Sequence, residues 1–220
     1  MGLLSHAAFA VVRVLQRRRP DVVYFAETRG TKLVALTIDD GPHPETTPAI
    51  LDLLSRHEVH ATFFLIGARA MAEPELVERI ANDGHEVANH GWEDERASAL
   101  DPADLERSMD RTDRSLRTTE RPVELYRPGG GRVSDAVTSA CRGRYRCVLA
   151  SVYPFDVYVP LDRWITWLVR ATVHPGAVIV LHEGTARRMR VVSILDAVLR
   201  DLGARGYEVT TVSSLLARRG

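Results

Sequence analysis

Lysine is almost missing from this chain: of 29 basic residues one, Lys32, is a lysine and the rest are arginine. That is a compositional habit of the source and carries no function. The formal net charge is +0, so the overall charge balance implies no strong pull toward nucleic acid or anionic lipid. Cysteine is scarce as well. Cys141 and Cys147 lie close together in CRGRYRC, and because Cys147 opens an apolar run it reads as a buried free thiol instead of half of a disulfide. There is no apolar run of the ~20 residues a membrane-spanning helix needs. The apolar stretch in MGLLSHAAFAVVRVLQRRR is shorter than that, and its charges come after it instead of before it, which makes a poor secretory signal. Residues 1–20 are therefore expected to form an amphipathic helix. It would pack on the rest of the chain or touch a membrane surface peripherally, and the expected compartment is cytoplasmic or peripherally membrane-associated. No Gly/Ser linker, low-complexity tract or internal repeat divides the remainder of the chain, so residues 21–220 read as one domain.

The chain is rich in alternation. Strand-like apolar runs occur at 33–39, 61–67, 86–90, 123–127, 147–152, 177–182 and 208–212. Between them stand segments with apolar residues three and four apart, such as PAILDLLSR, PELVERIAND, PADLERSMDRTDRSLR, DRWITWLVRAT and VVSILDAVLRDLG. Thr47 before Pro48 and Asp101 before Pro102 are placed as helix caps, and Gly84 and Gly203 as helix ends. Strands alternating with helices predict an α/β fold with a mostly parallel sheet, here an irregular seven-stranded (β/α) barrel, with an open doubly wound sheet as the alternative. The chemistry-bearing residues fall at one end of these runs. Asp39 and Asp40 close the first, His90 the third, Arg127 the fourth, and His182 with Glu183 the sixth. In parallel α/β folds the carboxyl ends of the strands carry the site.

Several motifs together resemble the polysaccharide deacetylase family, the NodB-homology or carbohydrate esterase family 4 domain. Thr37-Ile38-Asp39-Asp40-Gly41-Pro42 is similar to its first motif, and HPETTPAILDLL and ATFFLIG come after it in the family's manner. GHEVANH, at 84–90, leads into the second motif, YRPGGG at 126–131 is similar to the third, and VLHEG at 180–184 to the fifth. The resemblance implies hydrolysis of a sugar acetamide assisted by one divalent metal ion. Zinc is the first expectation, with manganese, cobalt or iron as alternatives. It implies that Asp39 acts as general base on the attacking water and that Asp40 and His90 ligate the metal. Arg127 would hold the base carboxylate ionised, and His182 would protonate the leaving amine.

The departures from the family pattern are as specific. Its second motif carries two histidines four apart on one helical turn. Here the second position is Asp94, expected to complete an Asp40–His90–Asp94 tripod that is harder and more anionic than usual. The third motif has Gly129 and Gly130 in place of proline and tyrosine, which predicts a wider substrate groove. In the fourth motif Tyr153 replaces the aspartate that tunes the acid histidine, leaving Asp156 as the substitute. Trp92, Gly129, Gly130 and Tyr153 are the expected substrate contacts, and His43 is a further candidate for the site wall. Trp164 and Trp167, three apart on one helix, read as packing residues.

The resulting expectation is a metal-dependent hydrolase of an N-acylated amino sugar, with no nucleic-acid partner. The alternatives are an amide or formyl hydrolase acting on a non-polymeric or lipid-linked substrate, and a non-catalytic carbohydrate-binding relative.

Overall fold

The computed structural model describes residues 3–117 and 122–218. Its sheet contains β1 Val22–Val23, β2 Leu33–Gly41, β3 Thr62–Leu65, β4 Glu86–Asn89, β5 Leu125–Tyr126, β6 Arg146–Val148, β7 Val178–His182 and β8 Glu208–Thr210. The strand order is β1-β6-β5-β4-β3-β2-β7, with β8 on the start of β2, and every pairing is parallel. The ring closes through single residues: Val152 bridges Ile179 of β7, and Phe25, just after β1, bridges Ala177. All seven expected strands are present, and the two-residue β1 makes an eighth. The helices are α1 Leu3–Arg18, α2 Thr46–Arg56, α3 Gly67–Ala72, α4 Pro74–Asn82, α5 Pro102–Leu116, α6 Asp135–Cys141, α7 Asp162–Thr172, α8 Val191–Ala204 and α9 Val212–Ala217. The short α3, α6 and α9 carry too few turns to show a period in the sequence.

β2 explains the architecture. All nine of its residues are buried, as expected of a parallel strand covered on both faces. Leu33 and Ala35 point inward, into a cluster with Phe64, Ala88, Leu125, Val148 and Val178. Val34, Leu36 and Ile38 point outward into the apolar layer that includes Ile50 and Leu54 of α2 and Ile194, Leu195 and Val198 of α8. Each such side chain contributes roughly 1.5–3 kcal/mol on burial. Strand alternation then assigns the site. Asp39 shares the inward parity of Leu33 and Ala35, His90 that of Ala88, Arg127 that of Leu125, and His182 that of Val178 and Val180.

Three local expectations are corrected. Thr47 does not cap α2: the cap position is Glu45, without a side-chain bond, and the Thr47 hydroxyl accepts from the His43 backbone N–H at 2.8 Å instead. Gly203 lies inside α8, and the left-handed glycine after its end is Gly206. Residues 90–94 form no helical turn. Gly91 sits at φ 91°, a conformation that breaks a helix, and the carbonyls of Gly91 and Trp92 accept from the N–H groups of Gly67 and Ala68 at the start of α3. Asp101, by contrast, caps α5 by accepting from the Asp104 N–H at 2.8 Å. Cys141 and Cys147 are both buried free thiols. α1 packs on the barrel through Phe9, whose ring stands 5.0 Å from Phe25 and 4.1 Å from His174.

Candidate active site

The carboxyl end of the barrel opens into a cavity of about 550 Å³, whose lining includes Asp39, Asp40, His90, Arg127 and His182. Two consecutive strand residues normally point to opposite faces. Here both aspartates reach the same cavity because the β2–β3 register shifts between Asp39 and Gly41, leaving Asp40 as the extra residue of a bulge at φ 70°. Aspartate tolerates that left-handed backbone better than most residues.

Asp39 is buried and its Oδ1 accepts from Arg127 Nη1 at 2.5 Å. The same nitrogen donates to the Thr37 hydroxyl at 2.8 Å, Arg127 Nε donates to the Val148 carbonyl at 3.2 Å, and the guanidinium lies 4.0 Å over the Phe64 ring. The base candidate therefore rests on an arginine that the barrel interior fixes from below.

Asp40 Oδ1 lies 3.3 Å from His90 Nε2. His90 Nδ1 is 2.8 Å from the Arg127 carbonyl, which makes Nδ1 the donor there and turns Nε2 toward Asp40; that nitrogen donates to the carboxylate when the ring is protonated and offers an electron pair when it is neutral. Ligating histidines are oriented in this way by a backbone carbonyl. Burial pushes the Asp40 carboxyl up, but the hydrogen bond and charge of His90, the charge of His182 and the Arg188 contact outweigh it and hold it well below its usual range. Arg188 Nη1 donates to Asp40 Oδ2 at 2.5 Å and to the Glu183 carbonyl at 2.6 Å, while Arg69 donates to the Asp40 carbonyl.

The donor chemistry of the Asp40–His90 pair fits a divalent cation, and a third protein donor is not assembled with it. Asp94 lines the cavity, but it stands exposed on the bend after Gly91, and among the described residues no group of three or more His, Cys, Asp or Glu side chains comes together as a metal site. The helical turn expected to carry His90 and Asp94 is a bend instead, and Asp94 reaches the same cavity from it.

His182 faces Asp39 across the β2–β7 pair, the two being register partners. Its Nδ1 lies 2.9 Å from Asp156 Oδ1, and its backbone N–H donates to Asp156 Oδ2 at 2.8 Å. Burial lowers the affinity of this imidazole for its proton, yet the Asp156 hydrogen bond and charge, with help from Asp39 and Asp40, raise its pKa overall. Tyr153 lines the cavity with its ring 5.5 Å from His182.

Glu183, next in the chain, is fully buried and accepts from the hydroxyls of Thr46 and Thr47 at 2.8 and 2.7 Å, tying β7 to the start of α2. Burial pushes its carboxyl up to about 7.

Two expected substrate contacts lie elsewhere. Trp92 is buried, packed against Gly67 and covered by the Arg111 guanidinium 3.6 Å over its ring. Gly129 does not widen the groove: the Glu95 carbonyl occupies the space where a side chain at this position would begin. Gly130 and Gly131 do line the cavity, and His43 does not. Arg69 and Arg188 join the site without any motif to mark them, meeting Asp40 from 29 and 148 residues away.

The family model described as polysaccharide deacetylase matches residues 26–143, ending before Asp156 and His182. A peptidoglycan-N-acetylglucosamine deacetylase of Bacillus cereus is 36% identical over 188 residues, covering 84% of this chain and 88% of its own length. A chitooligosaccharide deacetylase of Sinorhizobium fredii is 36% identical over 196 residues, covering 83% and 91%. Among solved structures, a peptidoglycan N-acetylglucosamine deacetylase in complex with an N-oxidanyl-benzamide ligand superposes with TM-score 0.86 at 29% identity, covering 92% of this chain and 95% of that one. A family 4 acetyl xylan esterase of Clostridium thermocellum in complex with a cobalt ion gives TM-score 0.78 at 27% identity, covering 84% and 90%. A family 4 pseudoenzyme of Bacillus anthracis gives 0.80 at 26%, covering 88% and 68%.

Proposed function

The chain belongs to the polysaccharide deacetylase family, and from that premise we propose that it is a metal-dependent hydrolase removing the N-acetyl group from an N-acetylglucosamine unit of a glycan polymer or oligomer. One observation carries the reading: Asp39 and His182 stand as register partners at the ends of adjacent strands, facing one cavity, each with its own charge partner, Arg127 and Asp156. Amide hydrolysis needs a base for the water and an acid for a poor leaving group. Asp39 takes the proton of the attacking water while Arg127 keeps its second oxygen oriented into the cavity. Asp156 holds Nδ1 of His182, so the other ring nitrogen, Nε2, delivers a proton to the departing sugar amine. Asp40 and His90 would hold a divalent cation, with Asp94 a further carboxylate of the cavity wall. Such a cation, zinc, cobalt, manganese or iron, supplies Lewis acidity toward the amide carbonyl and water.

A second reading, a non-catalytic carbohydrate-binding relative, draws on the Asp94 substitution and on the similarity to a pseudoenzyme. Acetate release separates the two. The chelator-treated protein is incubated with N-acetylated chitooligosaccharides and with peptidoglycan, with and without added zinc, cobalt or manganese. Metal-dependent acetate release that falls ~10²–10⁴-fold in Asp39→Asn supports the hydrolase. Glycan binding without acetate release under any metal would leave the second reading standing.

A further inference from the structure

Among the described residues twelve large hydrophobic side chains stand exposed, and they are not scattered. Seven lie between Tyr153 and Trp167, and three more, Val11, Val14 and Leu15, lie on α1. The two groups adjoin, because α1 packs against α7. Tyr158 is 76% exposed, Leu161 64%, Trp164 47% and Trp167 44%. Apolar side chains exposed singly need no account, but a contiguous patch marks a surface that meets something.

The chemistry of the patch selects among occupants. A sugar ring stacks on an open aromatic face. Trp164 and Trp167 instead lean on each other, with centroids 4.8 Å apart, and Val11, Val14, Leu15, Val157 and Leu161 offer no ring at all. Aliphatic side chains with tryptophans and arginines are the composition of segments that lie in a membrane interface. The charge agrees. Residues 3–18 contain no carboxylate, and Arg13, Arg17 and Arg18 are exposed, as are Arg163 and Arg187. The two carboxylates between 153 and 170 are engaged: Asp156 binds His182 and Asp162 pairs with Arg190. A chain of zero net charge thus presents a positive, apolar face. No helix among the described residues is long and apolar enough to cross a membrane, so the contact is peripheral.

We propose that α1, α7 and the segment from Tyr153 to Leu161 form one docking surface for an anionic lipid bilayer. The surface borders the mouth of the cavity, since Tyr153, Val157 and Tyr158 also line that cavity. Docking there brings the mouth against the bilayer, where a glycan or lipid-linked sugar at the membrane surface is within reach. The docking itself does not depend on which reaction the cavity performs.

The test uses the full chain and vesicles of phosphatidylcholine with or without phosphatidylglycerol. Trp92 is buried, so changes in tryptophan emission report on Trp164 and Trp167. The expected result is co-sedimentation with the anionic vesicles, a blue shift of emission and quenching by bromine-labelled lipid. Leu161→Ser with Trp164→Ser should weaken binding on the order of tenfold or more by removing interfacial anchors. Arg17→Gln with Arg18→Gln should remove the preference for phosphatidylglycerol. Absence of sedimentation and of lipid quenching in the wild type overturns the proposal, and that measurement does not depend on the variants folding. A blue shift produced by soluble chitooligosaccharide without vesicles, and not by vesicles, overturns it in favour of a glycan surface.

Discussion

Asp156 grips His182 with both carboxylate oxygens, one on the backbone N–H at 2.8 Å and one on Nδ1 at 2.9 Å. The first contact positions the strand end, and the second keeps a proton on the ring. Asp156→Asn retains an acceptor and loses the charge. The raised pKa of His182 keeps the acid form populated to higher pH, so without the carboxylate the alkaline limb of the pH–rate profile should move to lower pH. Full profiles of acetate release for both proteins read this directly. An unmoved limb would remove Asp156 from any tuning role.

Metal titration by calorimetry ranks the ligands. Asp40→Ala should abolish binding and His90→Ala should nearly do so. Asp94→Ala should cost no more than the roughly 10–100-fold that supporting groups around a metal contribute, because its carboxylate is exposed and, among the described residues, no group of three possible ligands is assembled. Losses of equal size for Asp94→Ala and Asp40→Ala would make Asp94 a full ligand.

Arg127→Met would leave the Asp39 carboxylate buried without its cation. Breaking a buried ion pair from one side costs about 3–5 kcal/mol, and denaturant unfolding should show a loss of that size. The double variant Asp39→Asn, Arg127→Met should lose less than Arg127→Met alone. Simple additivity of the two single losses would mean that the pair is not coupled.

His85 lies away from the cavity, buried beside His60, with Nδ1 accepting from the Ala61 N–H at 3.2 Å. Burial first, and the neighbouring His60 second, depress its pKa from 6.5 to about 4. The unfolded chain therefore takes up this proton before the folded one. Its contribution to stability is complete above pH 6.5 and is lost as the pH falls toward 4, up to about 3 kcal/mol. His85→Gln should flatten that part of the stability curve. Identical acid sensitivity in both proteins would assign the loss to other groups.

The barrel and most of its site are legible in the sequence because they depend on period. Buried strands advertise themselves as apolar runs, and alternation within each run points Asp39, His90, Arg127 and His182 inward. The same alternation would send Asp40 outward. The bulge that returns it to the cavity leaves no mark in TIDDGP beyond an aspartate able to hold a left-handed backbone. Spacing misleads at His90 and Asp94: four residues apart suggests one helical face, but Gly91 between them turns the chain. Arg69 and Arg188 are invisible for a different reason. Their contacts with Asp40 exist only after distant strands and turns have assembled, and no local pattern encodes them.

The barrel closes on β7 by isolated bridges, Val152 to Ile179 and Phe25 to Ala177, where neighbouring pairs such as β2 and β7 share a ladder. A seam of that kind is the first part of a ring to open, and its amides should exchange with solvent sooner than those of β2 and β3. Asp156 lies four residues beyond Val152, and His182 three residues beyond Ile179. Opening of the wall there would also part the acid from the group that keeps it charged, so amide exchange at this seam and the charge of the proton donor are expected to change together.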